Sequence, residues 1–234
     1  MSRDSREEIL RRIRKGLYGS TEPKNRPTKT KENLTNQEPK EITDEFLTNK
    51  KALTVQFLEE VRKISGNADF VDSENGIKDF ILRFVEERGF QFFTVWDSDL
   101  LRSLNIRNTL ESRGLQYASP DDKHEMAKAD IGITEADFGI ANSGTIVLLA
   151  NERQPRTVSL IPSIHIAILK SDKIVGNIND LFAHITNLFV GVESVDNITS
   201  CMTFITGPSR TADIELNLTL GVHGPKEIYV LVLD

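Results

Sequence analysis

Short apolar runs of strand length, alternating with apolar stripes of helical period, most narrow what this chain can fold into. The longest unbroken runs, residues 146–150 and 228–233, have the length of buried strands. Ile77, Phe80, Ile81, Phe84 and Val85 between them form a helical stripe closed by Gly89, and residues 91–96, with two consecutive phenylalanines, read as a strand. With residues 68–71 as a preceding strand, this is strand, helix and strand at βαβ spacing.

The same reading extends along the chain. Residues 42–64 predict one or two helices ending near Gly66, residues 106–113 and 122–129 two short helices, and 130–134 a strand. Residues 145–150, 157–161 and 165–169 predict three strands in a hairpin-like run, separated by Asn151-Glu152-Arg153 and by Pro162-Ser163. Residues 177–190 return to a helical stripe, and 202–205 and 228–233 read as buried strands. The expectation is an α/β fold, a three-layer α/β/α sandwich with a mostly parallel central sheet and no internal repeat.

Charge and cysteine content exclude several function classes. Residues 1–50 carry 12 basic and 9 acidic side chains; the remaining 184 carry 17 and 26. An acidic body with a mildly basic arm is the wrong surface for a nucleic-acid binder. No apolar run approaches the roughly 20 residues of a membrane span, and the basic first twenty residues lead into no apolar stretch, so a cytoplasmic location is expected. A single cysteine permits no internal disulfide and no four-thiolate cluster, so redox metal chemistry is expected on a partner. Ser5 to Glu8 has capping-box spacing, and Ile9, Leu10, Ile13 and Leu17 continue it as an amphipathic helix over 5–17. Residues 19–41 read as a tether, so the expected division is 1–41 and a domain over 42–234.

Three glycine-bearing segments adjoin predicted strands, where α/β folds place ligand loops. They are residues 134–145, residues 206–215 and Gly221-Val222-His223-Gly224-Pro225. Small residues admit a close backbone approach, and Asn142, Ser143, Gly144, Thr145, Gly207, Ser209, Arg210, Thr211 and Gly224 offer donors for an anion. Familiar motifs fail here. Gly139 and Gly144 have phosphate-loop spacing, but Thr145-Ile146 replaces the Lys-Ser/Thr pair; His124-Glu125 is followed by Lys128 where a zinc peptidase needs histidine; no G-x-G-x-x-G occurs. No metal site is expected.

Individual candidates carry two readings each. His223, between glycines, suits ligand contact or proton transfer; His165, opening an apolar strand, suits a core position or a site. Glu135 and Asp137 suit a proton-transferring pair, or Asp137 pins its own turn. Arg210 holds an anion in its fork or pairs with Asp213 or Glu215. Cys201, without a second cysteine, suits a small buried hydrophobe or a nucleophile.

Together Thr134-Glu135-Ala136-Asp137, Ile140-Ala141-Asn142-Ser143-Gly144-Thr145, Pro162-Ser163-Ile164-His165, the 206–215 segment and the 221–225 segment resemble the lactate utilization protein C family, the LUD-domain proteins. The likeness covers 120–234 and extends more weakly over 45–120. It implies a fold like that of the sugar-phosphate isomerase and coenzyme A transferase group. It also implies a role in oxidising L-lactate to pyruvate with iron–sulfur and cysteine-rich partner proteins, this chain holding no cofactor. On that reading Arg210, with amides near Gly207 and Ser209, binds a small anion, while His223 or Glu135 manages a proton. The rivals are a non-catalytic anion- or acyl-thioester-binding regulatory or assembly module and, ranked below it, an autonomous isomerase or acyl transferase.

Overall fold

The structure is a computed structural model that describes residues 44–189, 201–212, 218–221 and 223–234. The expected N-terminal helix and tether, and the acidic residues Asp213 and Glu215, lie outside the described residues. In chain order the elements are α1 Asp44–Lys63, β1 Asn67–Val71, α2 Glu74–Arg88, β2 Phe92–Val95, α3 Asp99–Ser103, α4 Ile106–Ser112, β3 Gln116–Tyr117, α5 Lys123–Met126, β4 Ile131–Ala136, β5 Phe138–Ile140 and β6 Thr145–Ala150. There follow α6 Thr157–Leu160, β7 Ile164–Lys170, a 3₁₀ turn at Ser171–Lys173, β8 Ile174–Val175, α7 Ile178–Phe189, β9 Cys201–Ile205, β10 Arg210–Ala212, β11 Leu218–Leu220 and β12 Glu227–Leu233.

Six strands form the main sheet in the order β1-β12-β7-β4-β2-β3, and every pairing within it is parallel. Its inner strands read as continuous apolar runs because both faces are covered. On one face lies α2, where Phe84 meets Tyr229 of β12 edge-on at 4.6 Å. Ser73 caps this helix through Gly76 N, and Gly89 ends it in the left-handed conformation. The other face carries α1, α6 and a second sheet of order β8-β5-β6-β9. Ile146 and Leu148 of β6 join the main core, while Val147 packs outward with Phe138, Leu181 and Ile185 beneath α7. A hairpin, β10–β11, leads back to the amino end of β12.

Two expectations are corrected. Residues 157–160 are helical, and β6 and β7 lie in different sheets, so no three-stranded hairpin run exists. The reason is tertiary: the carbonyl of Val158 is seated against Gly132 of β4, where an added Cβ would stand 1.9 Å from it, and a β-branched Thr157-Val158 pair cannot outweigh that packing. The helix read over 122–129 is the single turn α5, capped by Asp122.

Candidate functional site

The residues nominated from sequence gather in three places. Most surround the last turn of α1. Ser143 Oγ and Thr145 Oγ1 are 2.7 Å apart, and Thr145 Oγ1 lies 2.8 Å from Thr206 Oγ1, so a chain of hydroxyls ties the β5–β6 turn to the end of β9. Gly144, at φ 59°, lies so near α1 that a Cβ would come within 2.5 Å of Val61 N; at Gly207 it would come within 2.8 Å of Ile64 O. Here the backbone that the small residues admit is the protein's own helix. Arg210 is exposed and donates from Nη2 to Ile64 O at 3.5 Å, a cation on the carbonyl end of α1. Asn142 N donates to Gly176 O, Ser209 N donates to Pro225 O, and Ser209 O accepts from Gly221 N. Thr211 pairs with Thr219 in the hairpin, Gly224 packs against Ser209, and His223 is exposed.

His165 is elsewhere, wholly buried within β7. Its Nε2 lies 2.9 Å from Thr134 Oγ1 on β4, and burial pushes its pKa down to about 3, so the ring is neutral. Thr94, Gly132 and His165 are register partners and share one face, with α6 over the glycine. Thr94 Oγ1, Thr157 Oγ1 and His165 Nδ1 are all buried without a hydrogen-bond partner. His165 thus occupies the core position.

Glu135 and Asp137 stand toward the carboxyl ends of the parallel strands. Asp137 Oδ2 accepts from Leu149 N at 2.7 Å, pinning the chain as it leaves β4 for the second sheet. Burial first, with Glu135 adding to it, raises this carboxyl to about 6 against the lowering hydrogen bond from Leu149. Glu135 pairs in register with Ile168, on the sheet face opposite to the one that carries α1. The structure therefore does not bring Glu135 together with Arg210.

A concave site that the sequence reading missed opens at the carboxyl ends of β2 and β3. It is a cleft of about 350 Å³ lined by Val95, Trp96, Asp97, Leu101, Arg102, Asn105, Arg107, Asn108 and Tyr117. It lies beyond the carboxyl ends of two parallel strands at one edge of the sheet, the end of an open α/β sheet at which ligand sites are found. Arg107 stacks over Tyr117 with its guanidinium carbon 3.7 Å from the ring centroid, and Asn108 donates to Asn105 Oδ1 at 2.7 Å. Asp97 takes two bonds from Arg153, and Trp96 Nε1 donates to Pro155 O, so the loop after β6 closes one side. The only sequence signal was the strand read over residues 91–96, which ends at Trp96.

Comparison with known proteins places the chain in a family. The LUD domain model matches residues 55–233. A lactate utilization protein C of Exiguobacterium is 36% identical over 236 aligned positions, covering 98% of this chain and 96% of that protein. The counterpart in Halalkalibacterium halodurans is 44% identical over 108 residues, a stretch that spans just under half of each chain, 46%. A crystal structure of a DUF162 family protein from Deinococcus radiodurans shares the fold with a TM-score of 0.57 at 20% identity, over 79% of this chain and 98% of that one. With the domain match and the nearly full-length relative in agreement, the chain belongs to the LUD domain family.

Proposed function

We propose that this protein acts in lactate utilization, as a cytoplasmic subunit supporting oxidation of L-lactate to pyruvate. The observation that carries the reading is the 36% identity to a lactate utilization protein C over almost the whole chain. Oxidation of the hydroxy acid releases two electrons and two protons, and a chain with one cysteine cannot hold a four-thiolate cluster to accept the electrons. They pass instead to iron–sulfur and cysteine-rich partner proteins. A strain lacking the gene is expected to fail on L-lactate while growing on pyruvate, and normal growth on L-lactate overturns the reading.

One observation favours a binding or assembly role over self-contained catalysis. Glu135 lies on the sheet face opposite to α1, Arg210 at the end of α1 and His223 exposed before β12, and among the described residues no nucleophile, base and orienting group converge. If reconstituted partner proteins oxidise L-lactate without this chain, the regulatory or assembly role stands.

A further inference from the structure

We propose that the cleft at the carboxyl ends of β2 and β3 binds a mononucleotide-class ligand, a flat heteroaromatic ring with an anionic tail. Its size is the first argument. At about 350 Å³ the cleft lies within the usual range of organic-ligand pockets.

The lining supplies the chemistry. Phe93 supports Tyr117 edge-on, 5.7 Å between centroids, and Tyr117 supports one face of the Arg107 guanidinium, leaving the other face as a platform on which a base stacks. Beside it, Asn108 Nδ2 donates to Asn105 Oδ1. Among the described residues this leaves the Asn105 amide donors and the Asn108 carbonyl acceptor adjacent, the complement of a base edge that alternates acceptor and donor. Asn105 is held for this at φ 52°, a left-handed conformation that asparagine tolerates better than most residues.

Arg102 provides for the anionic tail. Its Nε faces Asp97 at 3.5 Å, and it pairs with Asp99, whose side chain is 96% exposed. An exposed pair of that kind contributes little and yields readily to a phosphate. Asp97 keeps its own charge compensated through Arg153, and Asp99, once released, stays solvated, so freeing Arg102 leaves no buried unpaired carboxylate.

This inference is independent of the lactate reading, which the growth test addresses. Calorimetric titration of the full chain with AMP, UMP and FMN, and with inorganic phosphate and L-lactate for contrast, decides it. At least one mononucleotide is expected to bind, at least tenfold more tightly than phosphate, and to quench Trp96, the only tryptophan and a cleft residue. Arg107→Lys keeps the charge but not the plane and Arg107→Gln keeps neither, so both should weaken binding at least tenfold. Arg88→Ala, which breaks an exposed bridge to Glu227 away from the cleft, should leave it unchanged. The proposal is overturned if none of the three nucleotides binds or quenches Trp96 at millimolar concentration, if L-lactate alone binds, or if both Arg107 variants bind like the parent.

Discussion

At the scale of single residues, a buried histidine and a half-buried carboxyl set opposite pH slopes on stability. Burial lowers His165 from 6.5 to about 3, so its contribution is complete above pH 6.5 and is lost as pH falls toward 3. The full loss is on the order of 4–5 kcal/mol. Asp137 is raised from 3.8 to about 6, so its contribution is complete below pH 3.8 and is lost as pH rises through 6, by about 2–3 kcal/mol less what water still reaching this half-buried carboxyl screens. Between pH 4 and 6 the slopes oppose each other. Urea midpoints measured against pH should therefore show a plateau there, with an acid limb below pH 4. Asp137→Asn, which can still accept from Leu149 N, should be more stable than the parent at pH 8. His165→Leu should lose the acid limb but cost about 1–3 kcal/mol at neutral pH, because Thr134 loses its partner. An unaltered pH profile in either variant contradicts the assignment. Neither shift was legible in sequence: Asp137 read as a turn residue or as one of a proton-transferring pair and His165 as a core position or a site, and the degree of burial that shifts each is set by tertiary packing.

Elements divide by length. The stripe of Ile77, Phe80, Ile81, Phe84 and Val85, closed by Gly89, announced α2 in the sequence; all of it is buried but Phe80, which packs half-buried against the core. Segments of two to four residues, such as α6, β5 and β8, are too short to display a period, and contacts distant in sequence decide their form. The pairing of α6 with Gly132 offers a test. Gly132→Ala should push the helix off the sheet and lower stability by about 1–3 kcal/mol, the usual cost of overpacking, read as a fall in the urea midpoint. Gly144→Ala combines a left-handed backbone with a clash against α1, and a loss of at least about 2 kcal/mol is expected. If Gly144→Ala were silent in thermal unfolding, the account of this glycine-rich motif as a seat for α1 would be wrong.

For the whole molecule, one continuous core joins the two sheets, with Ile146 and Leu148 of the second in the same buried cluster as Ala167, Leu169 and Val230 of the first. Unfolding followed by Trp96 fluorescence and by far-UV circular dichroism should coincide; separated transitions would mean that the sheets are independent cooperative units. Apolar period and run length in the chain itself determined the α/β class, the parallel character of the sheet, its longer elements and, through linked motifs, the family. These properties are local, since the 3.6-residue and continuous patterns are written in neighbouring residues. Tertiary structure alone decided that residues 138–150 and 201–205 build a second sheet, that the small residues at 144 and 207 receive a helix, and that Trp96, Arg107 and Tyr117 wall one cleft. Strand order and close backbone approach bring together positions far apart in the chain, and no local pattern encodes which of them meet.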